Sequence, residues 1–410
     1  MSDIEDRLRA ELWAQSQRTQ AEDLRDLRVP SRPTAPARRR GRWWLAPAAA
    51  ALAVAAVVGV LAGVRGTSGH QPPPAAAGSG PPRFYVTVPD TGNSGHPDAT
   101  VRATATGVTL GRVSVPGTHF GYVAAAADDR TFVLAAYRRP TGTDGSRYGS
   151  TEFYRLTLSA SGRPEPLAKL PLTIPSGPSG YVGNSMALSA DGATLAVSVV
   201  ATTVSPVGGP SARIEVVSLR TGTTRTWTAP GWTDLGSLSW VRGGTLAFLA
   251  SESQIASGGY QLRFLDTARS AGHRLTGTSR PVRLSVAGGA LLSALVTGDG
   301  HIVVAWTRAP GPGADQVGDA VLAEFSALTG RRLRVLDTFP SRGAFESYVE
   351  VWSADPSGEH LLAEGNARSG RVTAGGVVKD PVERTFLHRI DRGRITALPD
   401  PGNLTLAAAW

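Results

Sequence analysis

One hairpin recurs through most of this chain, and the recurrence limits the fold more than any other feature. An apolar strand, an Asp/Gly turn and a second apolar strand read GYVAAAADDRTFVLAAY (121–137), SMALSADGATLAVSV (185–199), GSLSWVRGGTLAFLA (236–250), ALVTGDGHIVVAW (294–306) and YVEVWSADPSGEHLLAEG (348–365). With Asp128, Asp191, Arg242, Asp299 and Asp355 as turn markers, the copies stand 51 to 63 residues apart. A period of that length marks a supersecondary unit that cannot bury its own apolar face and must stack against its neighbours.

A second hairpin follows each first one, over 152–167, 212–227, 260–275, 320–336 and 385–398. Two hairpins per period make four strands, the content of one propeller blade. Five blades fit between residues 120 and 398. Three further strands are expected near 84–88, 101–106 and 108–115, and one at LTLAAAW (404–410). Together they would make a sixth blade closed by both ends of the segment, which leaves no sheet edge open. The fold expected is therefore all-β, a propeller of about six blades, or seven if a degenerate blade occupies 276–290.

The repeated S-x-D-G-x-x-L-A hairpin followed by L-x-T-G resembles the TolB-like, WD40-like propeller repeats of bacterial exported proteins. SADGATLAVS (189–198) and VVSLRTGTTRTW (216–227) carry the resemblance best. The layout also resembles membrane-anchored propeller proteins of actinobacteria, whose short cytoplasmic leader is similar in position to that of membrane-bound anti-sigma factors. The resemblance implies a regulatory link. The His-x-x-x-Cys-x-x-Cys motif of the zinc type is absent, as the chain has no cysteine.

Before the repeats, Trp43–Val64 is an uncharged run, WWLAPAAAALAVAAVVGVLAGV. As a helix it would be about 33 Å long, against a hydrocarbon core of about 30 Å. Arg38, Arg39, Arg40 and Arg42 precede it and Arg65 follows. The positive-inside rule then puts the N-terminus in the cytoplasm and the repeats outside. A cleaved signal peptide is the competing reading, but the leader and the apolar run are both long for one. The expected organisation is 1–42 a cytoplasmic segment, 43–64 a single transmembrane helix, 65–83 a Pro/Gly/Ala stalk and 84–410 an extracytoplasmic propeller.

Residues 2–28 read as a short helix. Ile4, Leu8 and Leu12 form an apolar stripe with Trp13 beside it. Such a stripe needs a partner to be stable in water, so these four residues are candidates for docking a cytoplasmic regulatory partner. A helix lying near the membrane is the plainer alternative.

Composition excludes more than it assigns. Without cysteine there is no disulfide framework, thiolate zinc site or cysteine nucleophile. The net charge of +9 comes from arginine, since Lys169 and Lys379 are the only lysines. Apart from the cluster before Trp43 the arginines are scattered, so no nucleic acid is expected. The seven histidines show no metal-ligand spacing, and there is no P-loop, G-x-S-x-G or dinucleotide motif. No metal or cofactor is expected.

The loops between second and third strands are long and rich in Gly, Pro and Ser: 89–100, 138–151, 201–212, 251–259, 307–319 and 366–383. They should lie on one rim, and loops on a rigid scaffold carry binding. Arg138, Arg139, Arg147, Arg308, Arg368 and Arg371 lie in them and are candidates for holding an anionic envelope polymer; ordinary solvated arginines are the plainer reading. Trp232, Trp240, Trp306 and Trp352 read as blade packing rather than sugar stacking, and Asp128–Asp129 as a turn rather than an acid–base pair. The leading functional expectation is a non-enzymatic binding protein. An extracytoplasmic hydrolase or lyase, with ionisable groups gathered at the axis, and a structural scaffold are the alternatives.

Overall fold

The computed structural model describes residues 80–89, 98–138, 150–175, 181–200, 211–232, 234–251, 260–269, 272, 274–284, 286, 291–298, 300–307, 319–339, 346–355, 357–372, 378–391, 393–398 and 405–410. All belong to the unit 67–410. The segments 2–28 and 43–64, with Ile4, Leu8, Leu12 and Trp13, lie outside them. Among the described residues no helix is long and apolar enough to cross a membrane.

The described strands form six four-stranded antiparallel sheets. The first repeat folds as β4 (Thr118–Ala125), β5 (Thr131–Arg138), β6 (Ser150–Thr157) and β7 (Ala168–Pro175). The second is β8 (Tyr181–Leu188), β9 (Thr194–Val200), β10 (Ser211–Ser218) and β11 (Thr224–Pro230). The third is β12 (Asp234–Val241), β13 (Thr245–Ser251), β14 (Gln261–Asp266) and β15 (Ser279–Pro281). The fourth is β16 (Leu291–Val296), β17 (His301–Thr307), β18 (Ala320–Ser326) and β19 (Arg332–Phe339). The fifth is β20 (Glu346–Ala354), β21 (His360–Val372), β22 (Val378–Asp391) and β23 (Arg394–Ala397).

The sixth sheet has the order β24-β1-β2-β3, from β1 (Phe84–Pro89), β2 (Ala99–Ala103), β3 (Thr109–Val113) and β24 (Thr405–Ala409). Val86 pairs with Ala409 and Val88 with Ala407. The closing blade is thus assembled from both ends of the segment, as expected, and the blade count is six.

The apolar residues explain the radial stacking. Among the described residues there are six buried clusters, and each is shared by two neighbouring sheets. Phe84 and Val86 pack on Leu134 and Leu156; Phe153 and Ile174 on Leu195 and Val197; Ile214 and Trp227 on Leu246 and Phe248. Leu249 and Phe264 pack on Val304 and Phe325, Leu322 and Leu336 on Val349 and Ile390. Leu362 and Leu387 then pack on Tyr85 and Trp410, which closes the ring. Strands buried on both faces read as near-continuous apolar runs, and FVLAA (132–136) and VVAW (303–306) do so.

The first strands of successive blades are tied by serine hydroxyls. The Leu238 N–H donates to Ser185 Oγ at 2.7 Å, Val296 N–H to Ser239 Oγ at 3.0 Å and Val351 N–H to Ser293 Oγ at 3.0 Å. Each of β4, β8, β12, β16 and β20 carries a register shift against its second strand. Each of these strands is also the end strand of its sheet, so alternate backbone N–H groups face away from the ladder, and the serines take up three of them.

Four expectations need correction. The stretch 276–290 is no seventh blade: Ser279–Pro281 pairs with β14 as the last strand of the third blade, after a one-turn helix α1 (Leu275–Thr278). The return strand of the hairpin read over 260–275 is therefore displaced to Ser279–Pro281, after that turn, which is seated by the buried Leu275. Likewise the first repeat's return strand is Ala168–Pro175, beyond the 152–167 hairpin. Finally, the supposed loop 366–383 is largely strand. β21 and β22 remain paired out to Val372 and Val378, so Arg368 and Arg371 are strand residues, opposite Glu383 and Lys379 in register.

Candidate functional site

Strand direction puts two kinds of connection at opposite ends of the blades. At one end lie tight turns such as 189–193, 242–244 and 297–300. Their chemistry is local. Asp128 Oδ1 accepts the N–H of Arg130 at 3.0 Å and of Thr131 at 2.8 Å. Asp191 Oδ1 accepts the Ser189 hydroxyl and the Ala193 N–H. Gly192 takes φ +67°, and Asp129, at the same place in the first repeat, is forced to φ +52°. Asp128–Asp129 is therefore a turn, as the sequence suggested. At the other end the blades emit 90–98, 139–149, 201–210, 252–260 and 308–319, with 373–377 closing the long β21–β22 hairpin.

Of the six rim arginines, only Arg138 has a described side chain. Arg139, Arg147 and Arg308 lie outside the described residues. Arg138 ends β5 at the loop-bearing end and donates from Nη2 to both oxygens of Glu152, at 3.2 and 3.3 Å. Lys169 Nζ meets Glu152 Oε1 at 2.8 Å, and the Tyr154 hydroxyl donates to Oε2 at 2.7 Å. The register shift between Glu152 and Tyr154 against β7 puts Lys169 opposite Tyr154. The Glu152 side chain is 8% exposed, while those of Arg138 and Lys169 are 50% and 52% exposed.

Lys169 and then Tyr154 bond to the charged carboxylate, with Arg138 adding to them. They hold Glu152 down at about 2 against the opposing effect of its burial. Burial first, and then the bond to Glu152, pushes Tyr154 up to about 12. Glu152, Tyr154 and Lys169 were not singled out in the sequence. The signal available was slight: one of only two lysines, in a strand following E-F-Y.

Other charged centres sit elsewhere. At the turn-bearing end Glu324 is bonded by His301 and by Arg334, the latter at 2.6 Å, beside a shallow open cleft reaching to Glu359 and Ile390. Asp391 there takes His360 and Arg389, both at 2.8 Å. Toward the loop-bearing end Arg213 pairs with Glu215 at 2.6 Å. At the same end the Tyr260 hydroxyl donates to Asp234 Oδ2 at 2.6 Å, and burial and then that bond raise its pKa.

Among the described residues, Tyr85 of β1, Glu152 and Tyr154 of β6, and Tyr260 beside β14 have pKa values moved from their ordinary ones, each with burial among the causes. Among the described residues no group of three His, Asp or Glu side chains is placed to hold a metal ion. These tryptophans pack between blades: Trp232 and Trp306 are buried, Trp240 is partly buried against the cluster of Trp232, and Trp352 is partly buried against the clusters on either side of the closing blade.

No family model matches the chain, and no curated protein matches it. Among solved structures it is similar to the crystal structure of the tricorn protease, at a TM-score of 0.38 and 7% identity, over 73% of this chain and 28% of that one. The chain thus spans less than a third of that protein, and the likeness concerns the fold alone.

Proposed function

We propose that the chain is a non-enzymatic binding protein, anchored by the apolar run 43–64, whose propeller presents its loop-bearing end to a ligand or protein partner of the cell envelope. The observation that carries this reading is the asymmetry of the connections. One end of the blades is finished mostly by tight, internally bonded turns, with 158–167 and 267–278 the longer exceptions, while the other emits a long connection from five of the six blades and a long two-stranded arm from the sixth. A rigid ring with long connections on one rim is the arrangement in which loops carry recognition.

The anchor and its orientation rest on the length of the run 43–64 and the arginines before it. The segment 2–28, with Ile4, Leu8, Leu12 and Trp13, would then offer its apolar stripe to a cytoplasmic regulatory partner.

The test of the binding face is retention of the detergent-solubilised full chain on an insoluble cell-envelope fraction. Replacing 139–149 and 308–318 by short Asn-Gly turns should release it, and undiminished retention would overturn the reading. Reporter fusions after residue 42 and after residue 83 test the orientation. A reporter active only outside the cytoplasm should work at the second site alone.

A further inference from the structure

We infer that Arg138 and Lys169, set side by side by the buried carboxylate of Glu152, form the anchoring subsite for the phosphate groups of an anionic envelope polymer. This rests on reading the loop-bearing end as the binding face.

The geometry is that of a prepared cation pair. Both nitrogens meet the same oxygen, Glu152 Oε1, at 3.2 and 2.8 Å, and so lie no more than about 6 Å apart. Tyr154 holds the other oxygen, so the carboxylate cannot turn away. Two long side chains are thereby ordered before any ligand arrives, which removes part of the usual cost of binding.

Charge points the same way. Two cations share one carboxylate, which leaves a net charge of +1. Glu152 stays ionised over any physiological pH, because its pKa is held at about 2. The two cation side chains are half in solvent. Among the described residues their hydrogen bonds go to Glu152 alone. A guanidinium has five N–H donors and an ammonium three, more than the bonds to Glu152 use. Arginine forks onto two phosphate oxygens while lysine serves as a point charge, and such a pair suits the unshared oxygens of a phosphodiester.

Position separates this centre from the others. Glu324 and Asp391 also collect two basic groups each, but they sit by the tight turns, and one member of each pair is a histidine. Arg213 and Glu215 are matched one to one. Among the described residues, the Glu152 centre alone brings two permanent cations to one carboxylate at the loop-bearing end. It lies on the sheet face turned towards the closing blade, where Tyr154 packs with Phe84 and Val86.

The lysine count supplies the assay. Lys169 and Lys379 are the only lysines, so amine acylation of the full chain in detergent, read by mass spectrometry, reports on Lys169 with Lys379 as internal reference. Poly(glycerol phosphate) at low salt should slow acylation of Lys169 several-fold relative to Lys379. Neutral dextran should do nothing, and inorganic phosphate at equal phosphate concentration much less than the polymer. The protection should vanish in Arg138→Gln, return in part in Arg138→Lys and fade as salt rises. Equal protection of both lysines, or protection of Lys169 that survives Arg138→Gln, would overturn the subsite. Protection by inorganic phosphate equal to that by the polymer would overturn the polymer assignment. If shortening the loops abolishes envelope retention while Lys169 is never protected, the subsite is wrong and the binding face stands.

Discussion

Val86 and Ala409 are partners in one antiparallel ladder, although they belong to opposite ends of the propeller segment. That pairing joins β24 to β1 and turns five sequence repeats plus a remainder into a closed ring. The last residue of the blade, Trp410, is 3% exposed and packs with Tyr85, Leu362 and Leu387. Trp410→Ala should cost about 3–5 kcal/mol, the usual range for emptying a buried aromatic site. The midpoint of urea unfolding checks it. Deleting 405–410 should go further and expose the edge of β1, so that self-association appears in sedimentation.

Gly330 and Gly222 make a matched pair. Both are in the left-handed region, at φ +65° and +73°, in the turn between third and fourth strands. A Cβ on Gly330 would stand 1.9 Å from the Arg283 carbonyl oxygen, whereas one on Gly222 would meet nothing within 4 Å. Gly222→Ala should therefore cost only the backbone strain, about 1 kcal/mol. Gly330→Ala should cost clearly more, because the 282–284 segment must also move. Equal losses in thermal unfolding would refute the contact.

The serine ties between blades predict a graded effect. Ser185→Ala, Ser239→Ala and Ser293→Ala each leave one backbone N–H of the next blade without its partner. Each should cost about 1–3 kcal/mol. The three hydroxyls serve three different interfaces, so the losses should add to within about 0.5 kcal/mol. A near-silent triple variant would mean that the hydroxyls are incidental to closure.

Glu152 predicts a pH dependence with a definite sign. Its folded pKa, about 2, lies below the ordinary 4.5. A depressed carboxylate stabilises the fold fully above the ordinary value, and the contribution drains away as pH falls from about 4.5 towards 2. Glu152→Gln should lower stability at neutral pH by about 1–2 kcal/mol, discounted because both cation partners are half in solvent. It should also flatten the acid limb of the stability curve between those two values. An unchanged acid limb would show that Glu152 is not the group responsible.

The legible part of the fold was the periodic part. S-x-D-G turns and T-G turns announce themselves because a glycine or an Asp side chain does local work that no distant residue can replace. The displaced strands were less legible for the opposite reason. Ser279–Pro281 has no apolar alternation of its own, and it is strand only because β14 offers it a ladder and Leu275 seats the turn before it. The extension of β21 and β22 is similar: Arg368 and Arg371 read as loop residues, and it is each strand's pairing with the other that keeps the segment extended. At the candidate site, Arg138 was visible as a rim arginine, but its company was not. Glu152 and Lys169 lie on paired strands joined by the long connection 158–167, and a register shift decides that they meet.

By itself, then, the sequence determined a four-stranded unit repeated about six times and the strands that complete the last unit, because period, turn chemistry and apolar runs are local properties. Only the tertiary structure decided the exact ring of six, the return strands and the convergence of two cations on one buried carboxylate. Those depend on cross-strand register and on which sheet faces which, and in a ring every such choice is constrained by closure.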